Sequence, residues 1–322
     1  MSDFQSLSVS AIKAQLTKTE SSALPNLLEK IKADPRVSVQ KLAQQWEMMR
    51  RKQQSEEQRL EALQRFEKEA RQKRFQIIAG VDEAGRGPLA GPVCVAACIL
   101  PEKWDLPYLN DSKKLSEKKR LELEKQIKKQ ALAYSILLSP AEEIDRVNIL
   151  QATIKTAYAV LAQLNPAPDY VLTDSLKLPK LRVPHRAIDH GDALSCSIAA
   201  ASILAKTHRD RLLLELDAEF PQYGFKSHKG YGSAGHCQAL QNYGPSTLHR
   251  LSFNKVPASS QLLHSKSFQE FVTRFQECRS LEQLESIGKE IHLKKLVLPL
   301  REISELRKLY GQKRDQLSTS SS

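Results

Sequence analysis

Gly80-Val81-Asp82-Glu83-Ala84-Gly85-Arg86-Gly87-Pro88-Leu89-Ala90-Gly91-Pro92-Val93 is the stretch on which the reading of this chain turns. Two adjacent carboxylates close an apolar run, and a Gly-Arg-Gly turn comes at once after them. Carboxylates suit a hard divalent cation. Glycines let main chain come close to a ligand, and an arginine meets phosphate. A metal beside a phosphate-reading backbone points to phosphodiester chemistry. Asp-Glu pairs are common on solvated faces, so the flanks carry the weight. Arg74–Ala79 reads as a strand and Val93–Leu100 as another. The acids then stand where a buried strand ends, and a charge there needs a partner or a metal. No Gly-Lys-Ser/Thr comes after the turn, which excludes a Walker A loop. Pro88 and Pro92 oppose a helix, which excludes a dinucleotide fingerprint.

The 322 residues allow one large domain with appendages. Lys and Arg total 49 against 37 Asp and Glu, a net charge of +12 that favours an acidic partner, nucleic acid first. The five cysteines form no C-x-x-C pair, and Cys94, Cys98 and Cys196 sit in apolar or small-residue segments. They read as reduced core residues of a cytoplasmic protein. No run approaches the ~18 apolar residues of a membrane helix, and Met1–Gln5 lack a signal-peptide pattern.

Residues 1–74 contain no glycine and read as a helical extension. Leu42, Trp46 and Met49 fall at helical spacing, as do Leu60, Leu63 and Ala70. Fifteen Lys and Arg against ten Asp and Glu give this segment +5, consistent with a solvated helix or with an arm that grips nucleic acid. From 75 to 255 the spacing predicts two strands around the Gly/Pro turn and a polar helix near 116–130. The next strand covers 132–138. Ser139 then caps a helix, with Pro140 at its first position, running to about Leu164. A buried strand, Tyr170–Asp174, is next, then a strand near 182–188 and a long helix from Asp192 to about Phe220. Three neighbouring strands and then helix–strand units predict an α/β fold, a mixed sheet with helices on both faces. Residues 256–322 read as a helical C-terminal module, with stripes at Leu281, Leu284 and Ile287 and at Leu296, Ile303, Leu306 and Leu309. Pro299 breaks the pattern, and a disordered tail is expected from Ser318.

Two more acids join the first pair. Asp174 ends a buried strand, and Asp192 opens the long helix, where a plain N-cap role is an equal reading. Asp189 is a rival for the fourth place. Four carboxylates at one sheet edge suit two Mg²⁺ or Mn²⁺ ions ~4 Å apart, one activating water and one steadying the leaving oxygen.

Residues 80–93 resemble the first motif of ribonuclease HII, the prokaryotic type 2 ribonuclease H. Asn110–Ser116 is similar to that family's second motif. Gly191-Asp192-Ala193 with Ser197–Lys206 resembles another, as do His228-Lys229-Gly230-Tyr231-Gly232 and His249-Arg250 with Ser252-Phe253. The likeness spans about 75–255. It implies a ribonuclease H-like sheet and an endonuclease that cuts the RNA strand of RNA–DNA hybrids. It also implies incision at single ribonucleotides in duplex DNA, leaving 3′-hydroxyl and 5′-phosphate ends. Under the resemblance, Asp82, Glu83, Asp174 and Asp192 are the metal ligands. Gly85, Arg86 and Gly87 present main chain to the ribose 2′-OH and its phosphate, and Tyr231 stacks on the sugar at the RNA–DNA junction. Lys113, Lys206 and Arg86 are phosphate contacts. A monomer is expected.

His190 stands where that family usually has lysine, and Ser233 where it has threonine. Asp82 and Glu83 share one site only if the strand ends or twists between them, because neighbouring strand residues point to opposite faces. The sister ribonuclease HIII carries a β-rich N-terminal domain, which the helical pattern of 1–74 opposes. A non-catalytic basic hybrid-binding protein is the alternative function.

Overall fold

The computed structural model describes residues 4, 6–20, 23–294 and 298–319. Its contacts divide the chain into residues 1–63 and 64–322. The first unit holds α1 (Val9–Lys18), α2 (Leu24–Lys32) and α3 (Val37–Ala62). Its own small core gathers Ile12, Leu16, Leu28, Ile31 and Val39, with Trp46 packed against it. The buried Asp34 pairs with Arg36, whose guanidinium also donates to the Leu7 carbonyl at 2.7 Å.

The second unit opens with α4 (Arg65–Gln72). Its Phe66 and Ala70 pack with Ile78, Leu172, Ile188 and Ile198. The sheet comprises β1 (Ile78–Ala84), β2 (Val93–Ile99), β3 (Ala133–Ser139), β4 (Tyr170–Asp174) and β5 (His185–Ile188), in the order β3-β2-β1-β4-β5. The first three strands pair antiparallel, while β4 and β5 run parallel to β1. Polar helix α5 (Glu117–Gln130) precedes β3, and α6 (Ala141–Val147) and α7 (Ile149–Ala162) precede β4.

Both faces of the sheet are covered, as period-two alternation requires. Ala79, Val81, Val95 and Ala97 pack on Ala157, Val160 and Leu161 of α7. On the other face, α8 (Cys196–Glu219) lies so close that a Cβ on Gly80 would stand 2.1 Å from the Ser197 carbonyl carbon. Only glycine permits that approach. Short α9 (Phe225–His228) and α10 (Ala234–Tyr243) come next, and α11 (Lys266–Glu277), α12 (Leu281–Lys294) and α13 (Leu300–Thr319) complete the unit.

Several expectations shift. The first strand starts at Ile78 and continues through both acids, because the Asp169 carboxylate takes the amides of Gln76 and Ile77 at 2.8 and 2.9 Å. The helix expected from Ser139 to Leu164 is two helices. Asn148, at φ 68°, breaks it, and its side chain caps α7 by accepting from the Gln151 amide. Ser139 is no cap but the last residue of β3, paired with Val93, and Pro140 takes the capping place. At the C-terminus, Ser318 and Thr319 continue α13, while Leu296 and residues 320–322 lie outside the described residues.

The C-terminal helices have their own core of Phe268, Phe271, Phe275, Leu284, Ile287 and Leu306. A polar seam ties them to the sheet domain. Buried Glu302 accepts from Thr247 Oγ1 at 2.8 Å and from the Ser265 amide at 2.7 Å, and Arg301 pairs with Asp145 at 2.8 Å.

Candidate active site

Three carboxylates meet at the end of β1 and β4. One oxygen each from Asp82, Asp174 and Asp192 lie within 4.8 Å of one another. Asp82 comes from β1, on the face that α8 covers, and Ser202 of α8 hydrogen-bonds it. Ser202 Oγ in turn lies 3.0 Å from Ser112 Oγ. Asp174 is the last residue of β4, and its Oδ1 accepts from the Gly191 amide at 2.8 Å. Asp192 sits in a one-turn 3-10 segment, Gly191–Ala193. It does not cap the long helix: Ser195 does, accepting from the Ile198 amide, and α8 begins only at Cys196. That leaves the Asp192 carboxylate free to turn toward Asp82.

Glu83 is placed differently. The strand neither ends nor kinks between the two acids, since Asp82 pairs with Ala96 and Glu83 with Val95 in one continuous ladder. Glu83 is outside the three-acid group. It pairs with Arg86 at 3.3 Å, yet it feels the charge of Asp174, and its Oε2 is buried without a hydrogen-bond partner. Asp189, the rival, is exposed and accepts from Ser175 Oγ at 3.0 Å.

Crowded burial sets the electrostatics. Burial, then the charges of Glu83 and Asp174, hold the Asp82 carboxyl well above its ordinary range. Burial raises Asp192 too, with Asp111 beside it as the next cause. Burial also raises Glu83 against the pull of Arg86. Like charges this close resist ionising together unless a cation offsets them. Lys113 supplies part of one: its Nζ lies 3.7 Å from Asp192 Oδ2, with 78% of its side chain exposed. Lys206 is committed elsewhere, to Asp210 at 2.8 Å.

The Gly85–Gly91 turn beside the acids is held from behind by two buried arginines. Arg250 donates to the carbonyls of Gly85, Arg86 and Gly91, and Arg209 to those of Ala90, Pro92 and Lys229. Gly85 has φ +90°, and a Cβ there would stand 2.0 Å from Arg209 Nε. Tyr231, 46% exposed, brings its ring within reach of Gly87, where an added Cβ would be 3.7 Å from Tyr231 Cε1.

Sequence reasoning did not single out Arg209, Asp111 or Glu67. Glu67 of α4 is buried at the start of α8, where its Oε1 accepts from Ser195 Oγ at 2.5 Å and the Ser197 amide at 3.0 Å. No local signal marks it, because its partners lie 128 and 130 residues away. Asp111 was legible as part of the Asn110–Ser116 motif, but not its approach to Asp192.

Comparison with known proteins agrees with this architecture. The family model described as Ribonuclease HII matches residues 79–256, and Ribonuclease HII N-terminal domain matches 8–71. A curated ribonuclease HII of Desulfitobacterium hafniense is 52% identical over 207 residues, 64% of this chain and 79% of that one. Its counterpart in Shouchella clausii is 44% identical over 253 residues, 79% of this chain and 96% of that one. The crystal structure of ribonuclease H2 from Pyrococcus horikoshii OT3 superposes with a TM-score of 0.50 at 26% identity, covering 55% of this chain and 94% of that one. The sheet is thus ribonuclease H-like, the C-terminal helices after 256 fall outside both family matches, and the chain is an endoribonuclease belonging to the ribonuclease HII family.

Proposed function

We propose that the chain cuts RNA–DNA hybrids, and that it also incises duplex DNA at a single embedded ribonucleotide, by metal-dependent phosphodiester hydrolysis leaving 3′-hydroxyl and 5′-phosphate ends. The observation that carries this reading is the convergence of Asp82, Asp174 and Asp192 beside the Gly85-Arg86-Gly87 turn. Family membership supports the hybrid as substrate.

The residues fit a hard divalent cation. The donors are all carboxylate oxygens, as Mg²⁺ and Mn²⁺ prefer. Two of the three clustered acids are raised above their ordinary range by burial, so a cation would relieve a repulsion already present. Glu83 Oε2, buried without a hydrogen-bond partner, would offer a further oxygen. Asp82, Asp174 and Asp192 would hold the ion, with Glu83 serving a second. Bound there, the ions would activate water and steady the leaving oxygen.

The chain's own residues do the rest. Main chain at Gly85–Gly87, fixed by Arg250, reads the ribose 2′-OH, the group that separates RNA from DNA at one site. Tyr231 packs on the sugar at the junction. Arg86 and Lys113 hold phosphate, both with exposed head groups. The salt bridge to Asp210 leaves Lys206 a weaker phosphate contact than Lys113.

A duplex with one ribonucleotide, titrated with Mg²⁺ or Mn²⁺, tests the reading. Metal-dependent incision at the ribonucleotide is expected. Tyr231→Ala should lose more on this substrate than on a long hybrid, by about 1–3 kcal/mol of stacking. Equal losses on both would count against a junction role for Tyr231.

A further inference from the structure

Behind Tyr231 lies a buried histidine pair that the proposed hydrolysis does not use. His236 of α10 and His249 are both fully buried, and their Nε2 atoms lie 3.0 Å apart. Which way each ring donates is set by its other nitrogen. The Ser246 amide donates to His249 Nδ1 at 2.9 Å, and the Ser246 hydroxyl, 2.8 Å from the same nitrogen, can donate to it as well. A main-chain N–H only donates, so that Nδ1 is bare and the proton of neutral His249 sits on Nε2. It therefore donates to His236 Nε2. His236, bare at Nε2, carries its proton on Nδ1, which lies 2.9 Å from the Tyr231 carbonyl. The reverse direction would leave His249 with no proton at all.

The surroundings keep both rings neutral. Tyr223 and Phe225 wall them in, at 4.8 Å from His249 and 5.6 Å from His236 between ring centres. His228 stacks on His236 at 4.5 Å, accepts from the Gly230 amide at Nδ1, and so donates from Nε2 to the Tyr223 carbonyl. Burial lowers His236 and takes His249 down to about 3. A second proton would set two N–H groups head to head at 3.0 Å.

We propose that His249 and His236 form a one-way hydrogen-bond relay from the Ser246 amide to the Tyr231 carbonyl, and are positioning residues that fix Tyr231 against Gly87. The Tyr231 carbonyl has only one other donor among the described residues, the Ser233 amide at 2.8 Å, within its own tight turn. The imidazole of His236 is thus what ties that turn to the body of the domain through its carbonyl. The inference rests on the reading of Tyr231 as the residue that packs on the junction sugar.

Two measurements on the full chain test it. Nitrogen-15 NMR of histidine-labelled protein at pH 7 should show His236 as the Nδ1–H tautomer and His249 as the Nε2–H tautomer, both neutral. The opposite tautomer at either ring, or a charged ring, overturns the relay even if no variant folds. Cleavage of the single-ribonucleotide duplex is then compared across a mutant cycle. His236→Ala should cut kcat/KM by about tenfold, the scale of one lost hydrogen bond to a buried carbonyl. His236→Asn, whose amide stands near Nδ1, should recover part of that. In a Tyr231→Ala background, His236→Ala should cost less than about twofold. A full tenfold loss there overturns the positioning role. Wild-type kcat/KM in Tyr231→Ala alone would instead overturn the reading of Tyr231, leaving the tautomers to judge the relay.

Discussion

Arg250 donates from Nη2 to the Gly85 carbonyl at 2.6 Å, a buried guanidinium holding main chain 165 residues earlier. Its other nitrogens take the Arg86 and Gly91 carbonyls, so one side chain sets three points of the turn proposed to read the 2′-OH.

Arg250→Lys keeps the charge but replaces a rigid fork with one point donor. At least two of the three carbonyls lose their partner, at roughly 1–3 kcal/mol each. Cleavage should fall by about tenfold or more, with a lower melting temperature. Wild-type cleavage in a folded Arg250→Lys protein would show that the turn holds itself.

Asp82→Asn should separate stability from activity. A buried carboxyl raised in the fold binds a proton more tightly there than in the unfolded chain, so it costs stability once pH rises above its ordinary range. The amide removes that cost. In chelator at neutral pH the variant should melt higher than wild type. Metal-dependent cleavage should fall by more than about a hundredfold. A lower melting point in chelator would contradict the strain assigned to the three-acid cluster.

Acid should destabilise the domain through His249. Its folded value near 3 lies below the ordinary 6.5, so the unfolded state takes up a proton that the folded state refuses. The stability it allows is complete above pH 6.5 and is lost as pH falls from there toward 3. Between pH 7 and pH 5, urea unfolding of wild type should lose about 2 kcal/mol more than His249→Asn does. Parallel losses would mean that His249 is protonated in the fold.

Truncation should respect α4. Cutting after residue 74 removes Phe66 from its apolar cluster and Glu67 from the start of α8, and should destabilise the catalytic domain by several kcal/mol. Cutting after residue 63 removes a unit with its own core. That unit carries ten Lys and Arg against eight Asp and Glu, only +2. The shorter cut should leave the rate at saturating hybrid nearly unchanged and flatten the log affinity–log salt slope by at most about 2. A steeper change would mean that its cations grip the backbone unevenly; an unchanged slope would leave it a solvated bundle.

By itself the sequence determined what is local or periodic. Residues 80–93 marked the acids and the turn. Short apolar runs marked β2 and β4, and the small residues Ala199–Ser202 marked the part of α8 that lies close on the sheet, because composition and turn chemistry are properties of neighbours in the chain. Tertiary structure decided what depends on distant partners. Asp169 moved the start of β1 by taking two amides 93 and 92 residues earlier. Continuous pairing with β2 carried the strand past both acids, and the fold left Glu83 outside the three-acid group although it adjoins Asp82 in sequence. Ser195 and Glu67 together started α8 late, and so left Asp192 in a turn facing Asp82. The buried arginines and the histidine pair have no local signature either. A buried polar group is defined by the partners that satisfy it, and those partners meet only when the sheet, α8 and the loops after it have closed around them.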